Sequence, residues 1–197
     1  MAGKGEGKGE ATRRAILDGA VALASRHGLE GCTIGRLAEE TGLSKSGLFA
    51  HFGSKENLDV EVVRAARGHF VAEVIAPALK AARGEPRLRA LLDRWLTWIQ
   101  HPGGCIFVAL SAELDDQPGS ARDALEEAMR DWLDVLASAA GIAVDEGHFR
   151  KGTDTRQFAF ELYGVMLASH HLIRFHHDPK GLIRTRKAFE RLIESCR

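Results

Sequence analysis

The amino-acid sequence predicts an all-α protein. Apolar residues recur at three- and four-residue intervals in one segment after another from Ile16 to Cys196, the spacing of helices with a buried face. No stretch alternates apolar and polar residues as a half-buried strand does. Glycines, prolines and short polar runs separate the segments where helices stop. Read this way, the chain holds about nine helices, three in an N-terminal group and the rest in a larger C-terminal domain.

Residues 1–10 are Gly, Lys and Glu in near repeat and are expected to form a flexible arm. A solvated tail outweighs a role for Lys4 and Lys8 at phosphates, given the low complexity of the run. Thr12 is placed to cap a helix through His27, with Ile16, Ala20, Val21 and Ala24 as its stripe and Gly28 as its end. Thr33 caps a short helix whose apolar side is Ile34, Leu37 and Ala38. Gly42 suits the positive φ of a tight turn, and Leu43 plugs that turn. Ser44 caps a second short helix; Leu48 and Phe52 face the core, and Lys45, Ser46, Gly47 and His51 face outward. No acidic residue occurs from Thr41 to Lys55, so phosphate can approach without repulsion. Two short helices joined by a glycine turn have the geometry that lays the second on base edges in a major groove. Ser54 caps a long helix through Val62, Val63, Phe70, Val74 and Ile75, which Pro77 bends or ends. The expected division is residues 11–56 for the helix-turn-helix domain and residues 57–197 for the C-terminal domain.

The remaining helices follow the same pattern. Pro86 to Gln100 carries Leu88, Leu91, Leu92, Trp95, Leu96, Trp98 and Ile99, and His101-Pro102-Gly103-Gly104 breaks the chain. Cys105 to Leu114 is short and apolar. Ser120 to Ala140 carries Leu125, Met129, Trp132, Leu133 and Leu136, with residues 141–152 as a connection. Thr153 or Asp154 caps a helix to about His177, and Pro179 starts the last, striped with Leu182, Phe189, Leu192, Ile193 and Cys196.

Composition sets bounds. Lys plus Arg and Asp plus Glu each number 27, so bulk charge gives no argument for nucleic acid and the DNA reading rests on local arrangement. The three cysteines are odd in number and far apart, which suits a reducing cytoplasm better than a disulfide scaffold. Signal-peptide and membrane-spanning patterns are not found in the sequence.

The run Gly42-Leu43-Ser44-Lys45-Ser46-Gly47-Leu48-Phe49-Ala50-His51-Phe52-Gly53-Ser54-Lys55-Glu56-Asn57-Leu58 resembles the DNA-binding segment of the TetR family of transcriptional repressors. The resemblance covers about residues 11–63. It departs from the family where Phe49 replaces the usual Tyr and Ala50 an often-found second aromatic; Phe49 packs but offers no hydroxyl to a phosphate. The resemblance implies that the run through Lys55 starts the fourth helix and grips the DNA backbone. It also implies a C-terminal cavity entered by a small effector. DNA contacts are therefore expected at Thr33, Ser44, Lys45, Ser46, Gly47, Phe49, His51 and Lys55. Of these, Thr33, Ser44, His51 and Lys55 position the backbone and Lys45, Ser46 and Gly47 face bases.

The helix from Asp154 is apolar nearly all round, with Phe158, Leu162, Val165, Met166, Ser169 and Ile173 on one side and Phe160, Tyr163, Leu167 and His170 on another. Such a helix is buried all round, which points to a second subunit; the alternative is a central helix in a monomer. A four-helix interface, as the resemblance also implies, is expected to use Phe158, Leu162, Met166, Ile173, Leu182, Phe189 and Ile193. Trp95, Trp98, Phe107, Trp132, Tyr163, Met166 and His170 are the candidate lining of an effector cavity. His170, His171, His176 and His177 lack the helical spacing of a metal site, and no metal or cofactor is expected. Cys105 after Gly103-Gly104 is either a buried core thiol, the weightier reading, or a redox sensor. No hydrolase, phosphate-loop or zinc-protease motif occurs. The function expected is a cytoplasmic, homodimeric, ligand-responsive repressor of transcription on a palindromic operator. The alternatives are an effector-free or cysteine-redox-responsive regulator, or an all-α enzyme or metal-binding protein.

Overall fold

The computed structural model describes residues 7–197, the side chain of Lys8 apart; the expectation for Lys4 lies outside the described residues. Helices are the only regular structure among the described residues. They are α1 (Lys8–Gly31), α2 (Ile34–Thr41), α3 (Lys45–Phe52), α4 (Lys55–Phe70), α5 (Ala76–Ala78), α6 (Glu85–Trp98), α7 (Ile106–Glu113), α8 (Ser120–Asp145), α9 (Thr155–His170) and α10 (Gly181–Ser195). The chain forms two compact units: residues up to His69 with Ile106–Leu125, and Phe70–Cys105 with Glu126–Arg197. Compactness therefore divides the chain elsewhere than at residue 57 and gives α7 to the first unit.

In the first unit, Ile16, Ala20, Val21 and Ala24 of α1 are buried with Leu37 of α2, Leu48 and Phe52 of α3 and Leu58, Val62 and Val63 of α4. Helix α1 packs on α2 and α7. It starts at Lys8 rather than Thr12, so the last part of the expected flexible arm is helical. The Gly7 carbonyl accepts from the Glu10 and Ala11 amides, and Lys8 and Glu10 are good helix formers. Gly28 (φ 73°, ψ 175°) breaks the helix, as expected, but a further turn follows to Gly31.

In the second unit, a π-helical turn at Val71–Ile75 precedes α5. Pro77 lacks the N–H that would meet the Glu73 carbonyl, and its ring crowds that carbonyl, so the hydrogen-bond ladder shifts register before it. Helix α8 runs through Gly141 to Asp145, past its expected end at Ala140. The cost of a mid-helix glycine, about 1 kcal/mol, is offset by burial of Ala139, Ala140 and Ala143 around it. Asp154 caps α9 by accepting from the Arg156 and Gln157 amides, both at 3.0 Å. A second π-helical turn, His171–Phe175, follows α9, and α10 begins at Gly181, two residues past Pro179.

Helices α9 and α10 pack along each other, and the buried Thr185 hydroxyl donates to Ser169 at 2.6 Å. This pairing corrects the expected dimer face. Phe158, Leu162, Met166, Phe189 and Ile193 are all at most 2% exposed within the single chain, so they cannot meet a partner. Periodicity showed that α9 needs a covered face but not that α10 covers it. Ile173 is half-buried and Leu182 exposed, and Phe160, Phe175 and Ile183 join Leu182 as large apolar side chains left at the surface.

Candidate nucleic-acid interface

Three short-range caps shape the helix-turn-helix. Thr33 accepts from the Arg36 amide at 3.2 Å and starts α2. Gly42 ends α2 in the left-handed region, φ 68°. Ser44 accepts from the Gly47 amide at 3.1 Å and starts α3, and Ser54 caps α4 through the Asn57 amide at 3.1 Å. Each of the three hydroxyl caps satisfies a backbone donor that a helix start leaves orphaned, and Gly42 and Ser44 shape the turn from α2 into α3.

The exposed face of α3 consists of Lys45, Ser46, Phe49 and Ala50. Ser46 also meets the Ser44 hydroxyl at 3.1 Å. Gly47, expected to face bases, is half-buried. A Cβ there would lie 3.3 Å from the Ser44 hydroxyl, so this position turns toward the cap and away from the centre of the exposed face. Lys45 reaches across to α2: its Cε and amine lie 3.7 and 3.8 Å from where a Cβ on Gly35 would stand. That puts a cation over the first turn of α2, a place suited to a phosphate. His51 is half-buried beside the buried Phe52, ring centroids 6.1 Å apart. Ala50, a departure from the resemblance and not among the expected contacts, shares this exposed face with Phe49.

Lys55 is more enclosed than its sequence position suggests. Its amine donates to the Leu29 carbonyl at 3.0 Å and pairs with Asp59. Burial pushes the Asp59 carboxyl above its ordinary value against the pull of Lys55. Glu113 of α7 accepts from the Leu29 and Glu30 amides at 2.9 and 2.8 Å. A Cβ on Gly28 would fall 2.4 Å from that carboxylate, so glycine is required there for the approach as well as for its positive φ. These groups border a cleft of about 530 Å³ that Ser120 and Arg122 also line. Arg13 stacks over Phe52, 5.2 Å from the ring centroid, and pairs with Glu61 at 2.9 Å.

The expected effector lining divides between the units. Phe107 falls in the first unit; the other six fall in the second. Trp98 and Trp132 each meet Phe70 edge-on, at 5.4 and 5.0 Å, and the buried Trp98 Nε1–H has no partner among the described residues. Trp95 and Met166 are buried. The half-buried Tyr163 hydroxyl is pushed up to about 12, first by burial and then by Cys105. His170 Nε2 accepts from the Cys105 amide at 3.2 Å, which assigns its proton to Nδ1. Burial, then Arg174 and His171, lower its pKa. Cys105 itself is 3% exposed. His171 stacks with Phe175 at 5.1 Å and meets His176 at 5.0 Å. Among the described residues no group of three or more His, Cys, Asp or Glu is disposed to hold a metal ion, and no helix is long and apolar enough to cross a membrane.

A capped pair of short helices, the second presenting an acid-free exposed face, defines a helix-turn-helix DNA-binding protein. The chain belongs to the TetR family of transcriptional regulators. Residues 16–62 match the family described as bacterial regulatory proteins, tetR family, and residues 84–189 match the tetracyclin repressor-like C-terminal domain. It is a DNA-binding transcription factor and not an enzyme. The chain is similar to the HTH-type transcriptional repressor AcnR of Corynebacterium glutamicum, 46% identical over 67 residues, a match that spans 33% of this chain and 34% of that protein. Its fold resembles a TetR transcriptional regulator from Chloroflexus aurantiacus, with TM-score 0.82, 24% identity and coverage of 95% and 94% of the two chains. It also resembles AibR, solved in complex with isovaleryl coenzyme A and operator DNA, with TM-score 0.66, 24% identity and coverage of 81% and 85%.

Proposed function

We propose that this chain is a cytoplasmic repressor that binds a palindromic operator as a homodimer and releases it when a small, mainly apolar effector binds the C-terminal domain. The observation that carries the reading is the face of α3, where Lys45, Ser46, Phe49 and Ala50 stand exposed on a helix fixed by Ser44 and Gly42. A rigid face without acids is what a major groove admits. Dimerisation is supported by Phe160, Phe175, Leu182 and Ile183, exposed between 46% and 71% on α9, the turn after it and α10. Large apolar side chains left in water are what a partner surface covers, and two recognition helices about 34 Å apart reach successive major grooves. The effector is supported by the unpartnered Trp98 Nε1–H, by the half-buried Tyr163 and His170, and by the fold shared with AibR, which was solved with an acyl coenzyme A and operator DNA.

Release follows from linkage. An effector that prefers the conformer whose recognition helices are wrongly spaced weakens DNA binding by its preference, about 5- to 150-fold for a coupling of 1–3 kcal/mol, and operator DNA weakens the effector equally. The test is selection of duplexes from a random pool, followed by titration of the selected duplex with and without candidate apolar ligands while Trp fluorescence is read. Palindromic selected sites and a ligand that both quenches Trp and releases DNA are expected. A selected site without two-fold symmetry would oppose the dimer, and a ligand that binds without changing DNA affinity would oppose the release mechanism.

A further inference from the structure

Among the described residues of the first unit, Phe49 is the one large apolar side chain left substantially in water, at 48% exposure. Its neighbours Leu48 and Phe52 are buried. Lys45 and Ser46 lie one turn before it and Ala50 beside it, all exposed, and the i,i+3 and i,i+4 spacings place Lys45, Ser46 and Phe49 on one strip of the helix. An exposed phenyl ring forgoes a burial that nothing inside the unit supplies. It has no donor or acceptor, so it cannot serve a phosphate oxygen or the polar edge of a base. The apolar group that a major groove offers such a ring is the 5-methyl of thymine. Lys45 sets its amine over the first turn of α2, and Phe49 is the large apolar member of the strip. Ala50 puts no bulk beside the ring.

We propose that Phe49 is a specificity-determining residue that reads a thymine in each operator half-site through its 5-methyl group. Its reach is short, so it discriminates thymine from bases lacking a methyl and leaves the polar code to other residues. Burying one methyl against the ring is worth about a fourfold affinity change per half-site.

The experiment uses the full chain and an operator selected by the unmutated protein from random duplexes. Each thymine of the operator is replaced in turn by uracil, which removes the methyl and nothing else, and affinity is measured at one fixed salt concentration. One thymine per half-site is expected at which uracil weakens the unmutated protein about fourfold. Phe49→Ala is expected to bind the thymine duplex more weakly and to bind thymine and uracil equally at that position. Phe49→Leu, which keeps an apolar group, is expected to retain a preference for thymine. Circular dichroism and a melting curve verify that both variants are folded. Indifference of the unmutated protein to uracil at every position overturns the proposal, as does Phe49→Ala that keeps the full thymine preference. Failure to select any duplex would strike the DNA-binding reading instead, so the two failures are distinguishable.

Discussion

Lys45 and Lys55 are both first residues of helices in an acid-free run, yet they spend their charge differently. The Lys55 amine is committed to the Leu29 carbonyl and Asp59, whereas the Lys45 amine stands over α2 with an exposed side. Lys45→Ala is therefore expected to weaken operator and random duplexes by a similar factor and to reduce the salt slope by about one. Affinity measured across salt concentrations checks it, and an unchanged slope would take Lys45 off the phosphates. Lys55→Ala is expected to act through stability, lowering the melting temperature, with little change in slope. Glu113→Ala should cost about 1–2 kcal/mol, because two backbone amides lose a charged acceptor; a melt unchanged from that of the unmutated protein would show that water replaces the carboxylate without loss. The helix starts at Thr33, Ser44, Ser54 and Asp154 were legible in the sequence because each cap works over three residues. The Glu113 contact was not, since it joins residues 83 and 84 positions apart and no local pattern encodes it.

Helices α9 and α10 show where periodicity stops informing. A helix apolar on all sides has two faces to cover, but the pattern does not say which neighbour takes which face. The face with Phe158, Leu162 and Met166 is taken by its own chain, and the surface with Phe160 and Ile183 is left open. Ile183→Asp with Phe160→Asp is expected to give a folded monomer, while Phe189→Asp, at 2% exposure, is expected to unfold the chain. Sedimentation with circular dichroism separates the two outcomes, and a dimer that survives the double substitution would move the interface elsewhere. Helix α6 is anchored by Glu85, to which Arg89 and Arg197 donate at 2.7–2.9 Å. Burial works to raise the Glu85 pKa, and the two guanidinium partners outweigh it, so the carboxyl sits below its ordinary value. A carboxyl lowered on folding stabilises above its unfolded pKa, about 4.3, and that contribution is lost as pH falls through the folded value. Glu85→Gln is expected to cost on the order of 1 kcal/mol near pH 7 and to flatten the loss of stability below about pH 4. Equal acid sensitivity in both proteins would remove Glu85 from the acid transition. The overrun of α8 through Gly141 was illegible for a related reason: burial of neighbouring alanines overrides the propensity of the glycine.

Across the whole chain, net charge is zero, so the proposed DNA binding rests on local arrangement within one unit. The helix-turn-helix could be read from sequence because its caps, turn glycine and inward residues all lie within one short run. The residues expected to line an effector cavity carry no such local signal, and packing sets them apart: Phe107 belongs with the first unit, while Tyr163 and His170 gather near Cys105 and Trp98 near Phe70. In the proposed function, specific recognition of a two-fold symmetric duplex by a dimer is the property from which repression and release both follow. Titration of the full chain against its selected palindrome and against random duplex of equal length, at one physiological salt concentration, measures it. A dimer bound to the palindrome roughly a thousandfold or more tighter than to random DNA is the predicted result; equal affinity for the two, or binding as a monomer, would contradict it.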